Sequence, residues 1–151
     1  PFTTVEPVLG IVELSDDRRF VMVDIPGLIE GAHAGAGLGE AFLRHIERTK
    51  ILVHIVDICP LDGDPVENYR IINDELRFYS PTLAEKPQIV VANKMDLTKS
   101  QENLKRFRDA IGMDVIPISA ARGDGLDVLT EKIWKVLQEN VSVEQDNVKG
   151  K

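Results

Sequence analysis

With 151 residues, 28% of them charged and 43% hydrophobic, the chain has the size of one domain that buries a core without disulfides or structural metals. A net charge of -7 weighs against nucleic-acid binding through a general basic face, and no apolar run reaches membrane-spanning length, so no membrane partner is expected. The lone Cys59 has no Cys or His at ligand spacing, which suits a reducing, cytoplasmic setting.

The chain opens on Pro1-Phe2 without an initiator methionine or a signal pattern, so it reads as a piece of a longer protein. Two strand-like stretches, Val8 to Leu14 and Arg19 to Asp24, flank the polar cluster Ser15-Asp16-Asp17-Arg18 and predict an antiparallel hairpin. From there short apolar strands alternate with amphipathic helices, the pattern of crossover units and a parallel sheet. The strands are Ile51 to Asp57, Gln88 to Ala92 and Asp114 to Ser119. The run Ile89-Val90-Val91 does not alternate, as expected of a strand covered by helices on both faces. Pro117 cannot donate to a ladder and marks the last strand as an edge.

Helical stripes fall at Leu38, Phe42 and Ile46, then at Val66, Tyr69, Ile72, Leu76 and Tyr79. Two more follow, at Leu104, Phe107 and Ile111 and at Leu126, Leu129, Ile133, Val136 and Leu137. The second helix has Asp64 as a cap, Pro65 at its first position and a stop at Ser80-Pro81. Residues 139–151 are polar and lack aromatics, and they read as a linker or disordered tail after a folded domain of residues 1–138.

Asn93-Lys94-Met95-Asp96 directly follows an apolar strand, at the carboxyl end where open parallel sheets bind ligands. A carboxylate at Asp96 can accept from both the ring and the exocyclic N–H of guanine, a donor pair that adenine does not present. Asn93 would tie neighbouring loops together, and the Lys94 stem would cover the base plane. Ser119-Ala120-Ala121 follows the last strand, where a backbone N–H, that of Ala120, is placed to donate to the guanine carbonyl oxygen. Asp24-Ile25-Pro26-Gly27 ends the second hairpin strand; Asp24 can hold a water of a Mg²⁺ ion, and Gly27 lets a backbone N–H reach a terminal phosphate. Phe2-Thr3-Thr4-Val5-Glu6 brings two hydroxyls before the first strand, and a threonine there can ligate Mg²⁺.

Taken singly, each stretch also reads as ordinary turn or strand-end chemistry; their order along one chain gives them weight. Gly35-Ala36-Gly37-Leu38-Gly39 is not a dinucleotide fingerprint, because Glu40 stands where the third glycine would fall.

In that order the chain resembles the Obg GTPases. The resemblance is carried by Pro1-Phe2-Thr3-Thr4, the stretch from Asp24 through Pro26-Gly27-Leu28 to His33, Gly37-Leu38-Gly39, Phe42 to Thr49, Asn93 to Asp96 and Ser119-Ala120. It implies a P-loop NTPase-like α/β domain of the small G-protein kind, mostly parallel, with one antiparallel edge hairpin and helices on both faces. It also implies GTP and GDP as ligands, hydrolysis with Mg²⁺, a cytoplasmic monomer, and work on the large ribosomal subunit or its RNA in assembly and stress signalling. Thr4 then looks like the magnesium-binding threonine of the first switch, with Asp24 reaching the metal through water. Phe2 to Glu6 and Asp24 to Gly27 would face the phosphates, and Asn93 to Asp96 and Ser119 to Ala121 the base.

Two departures from the family pattern stand out. No G-x-x-x-x-G-K-[ST] loop occurs in these residues. In related domains the strand before that loop lies between the strands ending at Asp24 and starting at Ile51, so without it two inner edges are expected to lack a partner. Leu28 follows Gly27 where many switch GTPases carry the glutamine that orients the attacking water. Slow intrinsic turnover is therefore expected, with water positioned by another group, by a monovalent cation such as K⁺, or by a partner; His33 is a titratable candidate on the switch loop, and it reads equally as an exposed or structural loop histidine. The alternatives are a nucleotide-sensing module with negligible turnover, or another GTPase of the same class.

Overall fold

The structure, a computed structural model, describes residues 9–25, Arg44 and residues 46–149. In chain order these form β1 (Leu9–Glu13), β2 (Arg19–Val23), β3 (Leu52–Asp57), α1 (Pro65–Tyr79), α2 (Pro81–Ala84), β4 (Gln88–Asn93), α3 (Ser100–Ile111), β5 (Val115–Pro117) and α4 (Leu126–Lys149). The chain divides into two compact units, residues 1–49 with 66–86, and residues 50–65 with 87–151.

In the first unit β1 and β2 pair antiparallel, Leu9 opposite Val23 and Ile11 opposite Val21. Asp16 and Asp17 both adopt left-handed backbone in the turn between them, a conformation that short acidic side chains tolerate better than most. Leu9, Ile11 and Val21 are more than half exposed, whereas Phe20 on the opposite face is buried. The helix predicted from Leu38, Phe42 and Ile46 lies mostly outside the described residues; Ile46, near its end, is fully buried.

The predicted stop at Ser80-Pro81 ends α1 but at once begins α2. Ser80 Oγ accepts from Leu83 N–H at 3.1 Å and donates to Glu47 Oε1 at 2.7 Å. The serine thus caps one helix and ties its start to residue 47. Nearby, burial and the Glu47 charge raise the pKa of the Tyr79 phenol.

The second unit contains a three-stranded parallel sheet in the order β3-β4-β5. Each pair in it is joined by an intervening helical crossover, as parallel strands require. The central strand β4 carries the unalternating run Ile89 to Ala92, and all four residues are buried. Leu104 and Phe107 of α3 and Leu129 and Ile133 of α4 are buried as well, on the stripes predicted for them. β5 is an edge strand, where the missing N–H of Pro117 costs no ladder bond. Gly112 closes α3 in a left-handed cap, its N–H donating to Arg108 O.

The hairpin was expected at the edge of one mostly parallel sheet. Among the described residues it forms a sheet of its own, with β2 paired only to β1 and β3 only to β4. Residues 139–151 were expected as a linker or a disordered tail; of these, residues 139–149 are helical and continue α4 to Lys149. No glycine or proline interrupts residues 126–149, and polar composition alone does not stop a helix that propagates from a packed start.

Candidate functional site

The carboxyl ends of the three parallel strands converge in the second unit. Asp57 closes β3 and stands in register opposite Asn93, which closes β4. The two loops singled out in the sequence, residues 93–96 and 119–121, follow β4 and β5 side by side.

Three hydrogen bonds join these loops, and a fourth fixes the first of them internally. Met95 N–H donates to Ile118 O at 3.1 Å. Asn93 Oδ1 accepts from Lys94 N–H at 2.8 Å and from Ala120 N–H at 3.0 Å. Ser119 Oγ donates to Asp96 Oδ1 at 2.9 Å. Ser119 is itself fully buried, so its hydroxyl is a fixed point against which the exposed Asp96 carboxylate is oriented. An ionised carboxylate has about four acceptor positions, and Ser119 takes one, leaving Asp96 able to receive two further N–H donors.

Asn93 therefore ties the neighbouring loops as expected. The Ala120 N–H, expected to face the guanine carbonyl oxygen, donates here to Asn93 Oδ1 at 3.0 Å. An amide donor takes an acceptor where one is within reach, and the end of the adjacent strand supplies it.

Several supporting residues were not singled out in the sequence. Ser100, buried at the start of α3, donates from Oγ to Met95 O at 2.8 Å and fixes the far side of the loop. Asn103 Nδ2 donates to Ile58 O at 2.9 Å, holding the turn after β3. Gly125 has φ 79, and a Cβ there would lie 2.4 Å from Pro117 O; only glycine allows the turn after Ser119 to pack this closely. The signal was present in Gly123-Asp124-Gly125, but the close approach it serves is non-local.

Lys94 is exposed and has φ 76, left-handed for a non-glycine residue. Its ammonium lies 2.7 Å from Asp57 Oδ2. That hydrogen bond, reinforced by the Asp57 charge, raises the Lys94 pKa above the usual lysine value, so the side chain is cationic at any physiological pH.

At the other predicted end, Asp24 directly follows β2 and is exposed. The remaining residues assigned there, Phe2, Thr3, Thr4, Val5, Glu6, Pro26 and Gly27, lie outside the described residues, as do Leu28 and His33. An exposed carboxylate at a strand end fits the outer-sphere role toward Mg²⁺ assigned to Asp24, since hard cations take oxygen donors and Mg²⁺ keeps several waters. Among the described residues no group of three or more His, Cys, Asp or Glu side chains is placed to hold a metal by itself.

Residues 1–94 match the model of the 50S ribosome-binding GTPase family. The chain belongs to that family. Its resemblance to the Obg GTPases is shown by its relatives: it is 57% identical over 128 residues to GTPase Obg of Shouchella clausii, 83% of this chain and 30% of that protein. It is 52% identical over 155 residues to GTPase Obg of Acetivibrio thermocellus, 97% of this chain and 36% of that protein. The chain thus spans about a third of the length of these relatives. A solved structure of an Aquifex aeolicus Era variant bound to GDP and aluminium fluoride matches with a TM-score of 0.62 and 26% identity, over 85% of this chain and 44% of that one. A GTPase α/β fold follows, with a parallel sheet and an antiparallel hairpin. No described helix is long and apolar enough to cross a membrane.

Proposed function

We propose that these residues form the base-reading and part of the phosphate-sensing portion of a switch that binds GTP and hydrolyses it to GDP. The observation that carries this reading is the Ser119 to Asp96 hydrogen bond, 2.9 Å, on loops already joined by Asn93 and Ala120. It holds a carboxylate at the mouth of a parallel sheet with acceptor positions directed by a buried hydroxyl. Guanine presents the matching ring N–H and exocyclic N–H. Lys94 lays its stem along the base, and the Ala120 N–H is shared between Asn93 and the guanine carbonyl oxygen.

At the phosphate end, Thr4 would ligate Mg²⁺ and Asp24 would hold one of its waters, with residues 2–6 and 24–27 lining the terminal phosphate. The metal supplies charge neutralisation at the phosphoryl group. With Leu28 at the position where an amide side chain would orient water, this chain's own residues leave the attacking water poorly positioned. Intrinsic hydrolysis is then slow and is raised by K⁺ or by a ribosomal partner, in keeping with a cytoplasmic role in large-subunit assembly and stress response. Leu28 equally favours a second reading, in which nucleotide occupancy alone carries the signal.

Single-turnover assays on the intact protein separate the two. GTP cleavage that accelerates at least about tenfold with K⁺ or ribosomal particles is the expected result. Fast hydrolysis indifferent to both would refute the water-positioning argument, and no turnover under any condition would leave the sensing module.

A further inference from the structure

We propose that Asp57 is a positioning residue for guanine-nucleotide binding, fixing the Lys94 side chain across the base through their ion pair. The inference rests on the base-covering role given to Lys94 above, and it adds a residue on a different strand from either base-reading loop.

Asp57 is the last residue of β3, opposite Asn93 in register. Its two carboxylate oxygens have separate tasks. Oδ1 accepts the Cys59 N–H at 2.9 Å, closing the turn after the strand. With that oxygen engaged, Oδ2 is directed to Lys94 Nζ at 2.7 Å. The Lys94 backbone is held too, its N–H by Asn93 Oδ1 and its carbonyl by Leu97 N–H at 3.1 Å. A lysine fixed at both ends presents its four-carbon stem as a set strip between the ends of β4 and β3, instead of sweeping through many rotamers.

The consequence belongs to binding more than to folding. The two side chains are 46% and 36% exposed, and ion pairs at such exposure add little to stability. A free lysine would lose much of its rotamer freedom on covering a base. A lysine already ordered by Asp57 has lost it beforehand, which is the general route by which preorganisation raises affinity. The raised Lys94 pKa is consistent with a pair formed throughout the physiological range.

Asp57→Asn isolates the pair, because an asparagine oxygen still accepts the Cys59 N–H while the charge facing Lys94 is gone. In the intact protein, with a fluorescent GDP as probe, this variant should keep its Tm and bind about 5- to 20-fold more weakly, mostly through faster dissociation. Lys94→Met keeps an apolar stem without the ammonium, and in that background Asp57→Asn should change affinity by less than about twofold. Asp57→Glu should recover part of the loss.

Three results would overturn the role of Asp57. One is wild-type affinity in Asp57→Asn with Tm unchanged. Another is an equal loss in both Lys94 backgrounds, which would make Asp57 a structural support of its own turn. A fall in Tm as large in the Lys94→Met background as in the parent would likewise place its effect in folding. Failure of the wild-type protein itself to bind the probe would instead overturn the guanine reading, and this inference with it.

Discussion

The hairpin β1–β2 and the central strand β4 are built from similarly apolar residues and meet opposite fates. Ile89, Val90, Val91 and Ala92 are buried in a row, whereas Leu9, Ile11 and Val21 are more than half exposed. β4 is paired on both sides in a sheet that shares its unit with the packed helices α3 and α4; among the described residues β1 and β2 pair only with each other. Apolar sequence marks a strand, but ladder neighbours and covering helices decide whether it becomes core, and a two-stranded hairpin is marginal by itself. The difference has a functional counterpart. The loops proposed to hold the base in fixed geometry include the one that follows the buried strand β4, as a precise site requires. Asp24, assigned to the phosphate-sensing turn, stands at the end of the less supported element, and switching segments are drawn from the less stable parts of a fold.

The largest effect is expected where that rigid platform meets the ligand. Asp96→Asn in the intact protein should weaken GDP binding by roughly 10³- to 10⁴-fold and improve xanthosine diphosphate, whose ring N–H and neighbouring carbonyl match an amide's acceptor and donor. Equilibrium titration of both nucleotides measures it; unchanged GDP affinity would remove Asp96 from the site.

Smaller effects test the contrast between the sheets. Val91→Ala should destabilise the chain by about 2 kcal/mol, read as a lower Tm. Val21→Ala, at a position 65% exposed, should cost less than about 0.5 kcal/mol. Equal costs in the 151-residue chain would mean that the hairpin face is covered in solution and that the contrast is not real.

Much of this arrangement was legible in the sequence because its causes are local. The turn at Asp16-Asp17, the Pro65 start of α1, the unalternating run in β4 and the placement of Asn93 to Asp96 directly after it all follow from patterns a few residues long. What was not legible depends on residues far apart in sequence. Ser119 meets Asp96 across 23 positions, and Ser80 meets Glu47 across 33. Asp57 looked like the end of a strand, and its partnership with Lys94 depends on the register between β3 and β4. The acceptor that Asn93 Oδ1 offers the Ala120 N–H lies 27 positions away. The continuation of α4 to Lys149 was not legible for another reason, since polar composition was read as a linker or a disordered end where no helix breaker intervenes.

Discrimination between purines tests the central claim most directly. In equilibrium competition for a bound fluorescent guanine nucleotide on the intact wild-type protein, GDP should displace the probe at least about 10³-fold more effectively than ADP. Displacement by ADP at concentrations comparable to GDP would contradict the account, because the Asp96 carboxylate would then be reading nothing that distinguishes the two bases.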